Sequence, residues 1–518
     1  MYAAMSPSLT IDGVPVHWTE QPGRFNVSLV FRVGVRDESF SAAGITHLVE
    51  HLAFATIPTL DHAANGEVGL TLTEFTFEGT TTEVANSLSA ICTSLGELAA
   101  GRINPQVFER EKSILEAEGE TSAVPPEVGE ALSNHYGLAG PGLASASENY
   151  LDQLDIDEVA LHARTFFTQA NAVLVCSSAP PDGLRLPLPP GARRPIGPAS
   201  PVPAAGPAEY ASGGSRPVIS FRVPGSSTDA AAAMPLLDYT LDRRVHDVLR
   251  RRDGLVYGCE VSTANVDDGN SLTVIALDVA PRNAVEAVRR TLAELRSLRD
   301  DGPTEDEIRR AVARLSADAQ EPGSTHADTY DAAVCQLLGQ RAWSYADYVD
   351  ALTSDAASHT ATLLGDLEGT LLVGLPEEII PDDADPATGM IYPARDSSPA
   401  PGIEGTIYKR GLIARFAGAP ADARLIVGDA GCSLTLFGQT TSVRWEDVVG
   451  LEREVLEEGV EAISLFTRDA FQLSFPSAWF RRGQEAVASI LRAVPKRLQY
   501  VANSEGHETA EGARVGTS

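Results

Sequence analysis

The sequence predicts an α+β protein built from two similar halves and a smaller, mostly β domain. Two stretches of the chain share one order of elements, a strand, a long helix and then further strands and helices, at an offset of about 190 residues. A segment rich in proline, glycine and alanine separates them. The predicted divisions are homologous domains at 1–178 and 217–379, a C-terminal domain at 405–500, linkers at 179–216 and 380–404, and a disordered tail at 501–518.

The first half opens with a strand, because its apolar residues alternate with other residues at Val27, Leu29, Phe31, Val33 and Val35. Apolar residues at helical spacing predict a helix over 84–100, and further helices are predicted over 42–55 and 105–121. The apolar run at 172–176 predicts a short buried strand that closes this half.

The second half repeats this order, with a strand at 217–223, a helical stretch at 232–251, a strand at 271–279 and then an amphipathic helix. The end of the chain differs. Short strands are predicted there at 433–437, 440–445, 462–467 and 470–475, before a helix from Trp479 to Val494. Several strands capped by a C-terminal helix resemble the pleckstrin-homology-like fold.

Bulk composition limits the classes of function. The chain has 71 Asp and Glu against 40 Lys and Arg, a formal charge of −31, and such an acidic surface repels nucleic acid. No apolar run is long enough to span a bilayer, and the N-terminus lacks the charged start and apolar stretch of a secretion signal. The five cysteines are scattered and form no CxxC pair, which favours a reducing cytoplasm.

The segment His47-Leu48-Val49-Glu50-His51 is the main candidate for chemistry. In a helix the two histidines lie one turn apart on one face, where both imidazoles can coordinate a single Zn²⁺. Glu50 shares that face and can reach a water on the metal without being a ligand. Such a carboxylate takes the proton of the water as it attacks a carbonyl. The alternative is a pair of helix-surface histidines beside an ordinary glutamate.

A catalytic zinc site needs a third protein ligand, and the charged helix after the motif offers candidates. Glu111 and Glu118 are seven residues apart and project from one helical face. Glu118 is then the candidate ligand, and Glu111 orients a ligand or the water. Glu116 is the competing ligand, and the residues alone do not choose between Glu116 and Glu118. An acidic helix face exposed to solvent is the alternative to both.

The stretch GVRDESFSAAGITHLVEHLAF resembles the active-site region of the pitrilysin, insulin-degrading enzyme and mitochondrial processing peptidase family, whose inverted HxxEH motif defines the inverzincins. The family's conserved positions around that motif correspond to Gly34, Glu38, Gly44 and Phe54. The segment 109–118 resembles the downstream helix, whose last glutamate is the third ligand. The resemblance thus implies a zinc metallopeptidase with ligands His47, His51 and Glu118, general base Glu50 and supporting glutamate Glu111.

The second half carries a further likeness. The segment 249–257 resembles the family's LRE-x-x-GLxY element, which implies that Arg250 binds substrate carbonyls and Tyr257 donates a hydrogen bond to the developing oxyanion. A salt bridge for Arg250 and a core position for Tyr257 are the alternatives. The family's Asn-Ala-x-Thr strand, to whose edge a peptide adds, has no clear copy. The region 69–80 stands where it is expected and lacks the asparagine.

The resemblance covers about residues 10–378 and implies a clamshell of α/β halves that holds a peptide substrate. Because the zinc motif and the Arg/Tyr element occur in one chain, a homodimer is favoured over a heterodimer with a related peptidase chain. Two functions remain open: a zinc endopeptidase that acts on peptides or unfolded segments, and a non-catalytic scaffold or partner subunit of a heteromeric peptidase. The C-terminal domain is expected to mediate protein interaction.

Overall fold

The computed structural model describes residues 8–118, 124–146, 148, 150–202, 207–379, 387–390, 403–411, 414, 418–455 and 460–502. The predicted α+β class is confirmed, since helices cover separate sheets along the chain. Most of the predicted linker 380–404 and all of the predicted disordered tail beyond residue 502 lie outside the described residues. Within the described part, no helix is both long and apolar enough to cross a membrane.

The first half is a six-stranded sheet covered by helices. Its strands are β1 Ser8–Ile11, β2 Val14–Trp18, β3 Phe25–Phe31, β4 Ala63–Val68, β5 Thr73–Gly79 and β6 Ala172–Cys176. Its helices are α1 Ile45–Ala55, α2 Thr81–Ala99, α3 Pro105–Glu118, α4 Pro126–Tyr136 and α5 Ile156–Phe166. The strand order β1-β2-β6-β3-β5-β4 leaves β4 at one edge. Leu29 and Phe31 of β3 pack with Leu48 and Leu52 of α1, so the apolar side of the motif helix faces the sheet.

The second half repeats this pairing scheme. Its strands are β7 Ala208–Ser212, β8 Val218–Pro224, β9 Val256–Asn265, β10 Asn270–Val279 and β11 Leu372–Pro376, in the order β7-β11-β8-β10-β9. Its helices are α6 Met234–Arg244, α7 Ala284–Asp301, α8 Glu305–Asp318, α9 Ser324–Leu338, α10 Tyr345–Leu363 and α11 Leu367–Thr370, with a π-helical stretch at Val245–Arg252 after α6. In each half one parallel pair is followed by antiparallel neighbours, β2-β6-β3-β5-β4 matching β7-β11-β8-β10-β9. The two sheets therefore share one topology.

The two halves exchange helices. Helix α4 of the first half places Ala131 and Leu132 against Val274 of the second sheet. Helix α9 of the second half places Leu337 against Val30 of the first sheet. Each sheet therefore depends on the other half to cover part of its apolar surface.

The segment predicted as the first linker is more structured than its composition suggests. The leucines Leu184, Leu186 and Leu188 are buried in the first core. Residues 208–212 form β7, which pairs in parallel with β11. Proline favours extended backbone with few main-chain hydrogen bonds, but it does not prevent leucines between the prolines from packing. Composition alone therefore missed this packing.

The described C-terminal residues form two four-stranded sheets and one α-helix. The strands are β12 Thr406–Lys409, β13 Arg424–Val427, β14 Gly431–Leu436, β15 Gln439–Arg444, β16 Val448–Val455, β17 Glu461–Thr467, β18 Gln472–Pro476 and β19 Gln499–Ala502, and the helix is α12 Gly483–Ala493. The sheet orders are β12-β13-β14-β15 and β18-β17-β16-β19. Val487 and Ile490 of α12 share one core with Leu425 and Leu451 from the two sheets.

Candidate metal centre

A buried carboxylate fixes the start of the motif helix. Gly44 precedes α1 with a φ of 90°, a conformation that glycine adopts without strain. The backbone N–H groups of Gly44 and Thr46 donate to the two oxygens of Glu38 at 2.8 and 2.9 Å. A carboxylate at the start of a helix accepts hydrogen bonds from N–H groups that have no partner within the helix. Its negative charge also interacts favourably with the helix dipole. Burial raises the pKa of Glu38 to about 7, although these hydrogen bonds oppose the rise.

The two motif histidines face one another along α1. Their ring centroids are 4.8 Å apart and their planes meet at 84°. Nδ1 of His47 lies 3.3 Å from Oε1 of Glu148, and Nδ1 of His51 lies 3.5 Å from Oε2 of Glu111. A carboxylate on one ring nitrogen fixes the orientation of the ring and leaves the other nitrogen for a metal. Each imidazole is therefore held through Nδ1 and presents Nε2.

Two further carboxylates lie beside the Nε2 atoms. Oε2 of Glu50 is 4.0 Å from Nε2 of His47 and 3.8 Å from Nε2 of His51. Oε2 of Glu118 is 3.6 Å from Nε2 of His51. Ligand atoms on a tetrahedral zinc lie about 3.3 Å apart, given bond lengths near 2.0–2.1 Å. Two imidazoles and a carboxylate are a donor set known for catalytic zinc, so these residues fit the ion.

The compact group of three donors found among the described residues does not include the predicted third ligand. His47, Glu50 and His51 offer atoms within 4.8 Å of one another, whereas Glu118 approaches from the side of His51 and its side chain is 42% exposed. Glu50 stands nearly equidistant from both Nε2 atoms, which suits a group that contacts a bound water. The division of roles between these two glutamates stays a prediction.

Of the two glutamates that competed as third ligand, only Glu118 contacts a motif histidine in the structure. The carboxyl of Glu116 instead shares a hydrogen bond with Asp152, and this contact together with burial raises the pKa of Glu116. The helical face shared by Glu111 and Glu118 is therefore the one turned toward α1.

The edge strand β4 runs directly beside the predicted base. A Cβ atom at Gly66 would lie 1.9 Å from Oε1 of Glu50, so the carboxylate rests against the main chain of this strand. The expectation that 69–80 is the substrate-aligning strand is wrong. Within that region β5 pairs with β3 on one side and β4 on the other, so its main chain accepts no further strand. The edge strand on this side of the sheet is β4, which contains Asn65.

The surroundings of Glu50 favour its protonated form in the metal-free protein. Burial raises the pKa of Glu50 to about 7, and the charges of Glu118 and Glu111 add to this rise. The charge of His47 opposes it. A carboxyl with a pKa near neutrality is suited to accept and return a proton at physiological pH.

Zinc affinity should rise steeply between pH 6 and pH 8. Burial lowers the pKa of His47, but the hydrogen bond and charge of Glu148, together with the charges of Glu50 and Glu118, outweigh burial, so the net pKa lies above its ordinary value. Zinc binds neutral imidazole, so a raised pKa makes protons compete with the metal up to a higher pH than for a free histidine. The dissociation constant of zinc, measured by chelator competition at pH 6, 7 and 8, should fall at each step. A constant affinity from pH 6 to pH 8 would show that His47 is not a ligand.

The structure does not bring the second-half element to these donors. The side chains of Arg250 and Tyr257 have no hydrogen bond or ion pair with the described residues, and Tyr257 is 66% exposed. The opposite end of β9, residues 262–265, lies beside Leu70 of the first half. Tyr257 is five residues from that end, roughly 16 Å along the strand. Neither the salt bridge nor the core position considered for these residues is therefore present in the described chain.

Glu148 is a site residue that sequence reasoning missed. It lies 101 residues from His47, in a stretch with no repeating pattern that would single out one acidic residue. Gly66 was missed for a similar reason, because its closeness to Glu50 follows from how α1 crosses β4. Neither residue carries a signal visible in the order of the amino acids alone.

Comparison with known proteins defines the class of fold. A profile of the Peptidase M16 inactive domain matches residues 193–315. That stretch contains Arg250 and Tyr257 but not the HxxEH motif, which lies in the first half. The sequence has no significant match among curated proteins.

Solved structures share this fold at low sequence identity. A chain of Complex III2 from Candida albicans, bound to Inz-5, has a TM-score of 0.58 and 16% identity over 73% of this chain and 98% of its own. A protease from Helicobacter pylori has a TM-score of 0.57 and 14% identity over 71% and 98% of the two chains. The periplasmic protease PqqL from Escherichia coli has a TM-score of 0.55 and 11% identity over 84% and 55%. The chain therefore has the fold of M16 peptidases and their relatives.

Proposed function

We propose that this protein is a zinc-dependent metalloendopeptidase that hydrolyses peptides or unfolded segments. The observation that carries the proposal is the convergence of two imidazoles of α1, each held at Nδ1 by a carboxylate, with two more carboxylates, from α1 and α3, beside their Nε2 atoms. His47, His51 and Glu118 would hold the metal. Zinc in such a site would act as a Lewis acid that lowers the pKa of a bound water to near 7 and polarises a carbonyl.

Other residues of the chain would transfer the proton, orient the two imidazoles and bind the peptide. Glu50 accepts a proton from the attacking water at Oε2 and returns it to the leaving amine, since its carboxylate stands within about 4 Å of both Nε2 atoms. Glu111 and Glu148 hold the two rings in place. A peptide that pairs with the exposed edge of β4 would run past Glu50. Main-chain pairing of this kind gives broad sequence preference.

The direct test combines metal content with cleavage. Purified protein should contain close to one zinc per chain and should cut an unfolded protein or a peptide library, with cleavage lost after chelation and restored by zinc. Mass spectrometry of the products would define the preferred cleavage sites. Protein that neither binds zinc nor cuts any peptide would refute the proposal.

A second candidate is a partner subunit that needs another chain for activity. The position of Arg250 and Tyr257, exposed and without contact to the donor cluster, favours a site that one chain alone does not complete. The likeness to a chain of Complex III2 supports assembly with other subunits. Protein that binds zinc but cuts peptides only after a second, related chain is added would favour this candidate.

Within the peptidase proposal, the chain is a homodimer in which each subunit completes the site of the other. Mixing Glu50→Gln chains with Arg250→Ala chains should then restore activity that neither variant has alone. Random exchange gives half heterodimers, each with one intact site out of two, so about a quarter of wild-type activity is expected. The measurement is peptide cleavage after the two inactive proteins are mixed under conditions that allow subunit exchange.

The control for this experiment is a mixture of Glu50→Gln with a Glu50→Gln, Arg250→Ala double variant, which contains no intact pair and should stay inactive. Mixed single variants that remain inactive, although native mass spectrometry shows that they have exchanged, would place both elements of each site in one subunit. An Arg250→Ala protein that is active by itself would deny Arg250 a role.

The remaining assignments are also proposals. One antiparallel sheet and one mixed sheet, in which β16 and β19 run parallel, share a core with α12 and support a pleckstrin-homology-like C-terminal domain that mediates protein interaction. The cysteines Cys92, Cys176, Cys259, Cys335 and Cys432 are all free thiols in the structure, which supports a cytoplasmic location.

A further inference from the structure

The C-terminal domain contacts the first half through a row of four aromatic rings. Phe466 of β17 lies 5.3 Å from Phe40, Phe40 lies 5.5 Å from Tyr150, and Tyr150 lies 5.3 Å from Tyr500 of β19, measured between ring centroids. The outer two rings belong to the C-terminal domain and the inner two to the first half. Aromatic pairs at these distances stabilise a contact beyond the area that they bury.

A glycine allows the two parts to approach this closely. A Cβ atom at Gly450 of β16 would lie 2.5 Å from Cε1 of Phe40 and 2.5 Å from the hydroxyl oxygen of Tyr150. A main-chain hydrogen bond from Leu138 N–H to the carbonyl of Arg468, at 2.8 Å, joins the same two parts. The interface is therefore tight at its centre, where any added atom displaces one of the two inner rings.

Each inner ring stands two residues after a carboxylate that positions the motif helix. Phe40 follows Glu38, which accepts the first N–H groups of α1. Tyr150 follows Glu148, which holds Nδ1 of His47. Two residues span at most about 7 Å of chain, so each ring is tied closely to its carboxylate along the backbone.

The same segment also touches the helix that carries the other glutamates. The ammonium of the buried Lys112 on α3 donates to the carbonyl of Asp152 at 2.8 Å. Asp152 is two residues beyond Tyr150, and α3 carries Glu111 and Glu118. The row of rings thus adjoins the supports of both metal-binding helices.

We propose that the C-terminal domain is a positioning element of the metal centre, which acts through Gly450, Phe40 and Tyr150 on Glu38 and Glu148. The inference rests on the proposed zinc site and deepens it, because it assigns to this domain the control of metal affinity. Loss of a group that orients a metal ligand typically weakens metal binding 10- to 100-fold, although the group never touches the metal.

The test compares two glycine variants of the full chain. Gly450→Ala places a methyl group against Phe40 and Tyr150, whereas at Gly411, in the same domain, a Cβ would meet no atom closer than 3.7 Å. Gly450→Ala should weaken zinc binding about 10-fold by chelator competition, in line with the loss of an orienting group. Gly411→Ala should bind zinc as the wild type does. Circular dichroism melting curves check that both variants are folded.

Two further variants test the same coupling without the added methyl group or with the His47 contact already weakened. Phe40→Leu removes ring contacts without adding atoms, so it should weaken zinc binding even where Gly450→Ala does not fold. In a Glu148→Gln background, Gly450→Ala should have less effect than in the wild type, because both changes act on His47. A merely structural role would instead give additive effects.

Folded Gly450→Ala and Phe40→Leu proteins that bind zinc within twofold of the wild type would overturn the inference and leave the proposed function intact. Failure of the proposed function is separately visible, because the wild type itself would then bind no zinc in the same titration, and that outcome overturns both.

Discussion

Replacement of Glu50 by glutamine should lower kcat/KM for peptide hydrolysis by about 10²- to 10⁴-fold, the usual contribution of a general base. Glutamine keeps the shape of the side chain and its packing against Gly66, but it accepts no proton. Because Glu50 is predicted to contact the water rather than the metal, zinc content should stay at the wild-type level. Cleavage rates and metal analysis of one protein preparation give both quantities.

The melting temperature of the variant distinguishes loss of the general base from misfolding. The pKa of Glu50 is raised from 4.5 to about 7 by burial, so in the metal-free chain its contribution to stability is full below pH 4.5 and is lost as the pH rises through 7. A neutral glutamine avoids this loss, so the metal-free variant should melt no lower than the wild type at pH 8. Glu109→Gln, at a side chain that is 69% exposed, is the matched control. A Glu50→Gln protein with wild-type activity would remove the basis for the enzyme.

The second large effect is expected at Glu118. Its replacement by glutamine should weaken zinc binding by more than the roughly 10- to 100-fold that follows loss of an outer hydrogen-bond partner, since a ligand itself is removed. Glu116→Gln is the matched control, two residues away on the same helix and turned to Asp152. Zinc titrations of the two variants, side by side, distinguish the candidates that the sequence left open.

Thermal melting adds an independent measure of the same change. The side chain of Glu118 is 42% exposed, so its replacement should barely alter the melting temperature of the metal-free protein. Zinc should raise the melting temperature of the wild type and of Glu116→Gln, because an ion that binds only the folded state stabilises it. The rise should be much smaller for Glu118→Gln. An equal rise in both variants would exclude Glu118 as a ligand.

Elements with strong periodicity were predicted well from sequence. The strand at 172–176 and the helix at 84–100 coincide closely with β6 and α2, since buried apolar residues recur there at the spacing of each structure. The strand β4 was not predicted, because AANGEV has no apolar alternation. It is held as an edge strand by its pairing with β5, a contact that depends on the rest of the sheet.

In the candidate site, too, local features were predicted from the sequence and features that depend on tertiary packing were not. The HxxEH motif is local, so helical geometry alone places His47 and His51 on one face. Which glutamate of α3 faces them depends on the rotation of α3 about its axis, which packing of Phe108 and Leu115 against the core sets. The partnership of Glu148 with His47 spans 101 residues, and no local pattern encodes a contact of that range.

The burial of the segment after β6 has a consequence for any attempt to isolate the first half. Shortening the protein at residue 178 would remove Leu184, Leu186 and Leu188 from their core. Burial of a leucine contributes about 1.5–3 kcal/mol, so together they supply roughly 4.5–9 kcal/mol, a large part of the 5–15 kcal/mol that typically keeps a domain folded. Val30 would also lose its cover from Leu337. An isolated first half is therefore expected to fold poorly and to expose an apolar surface that promotes aggregation.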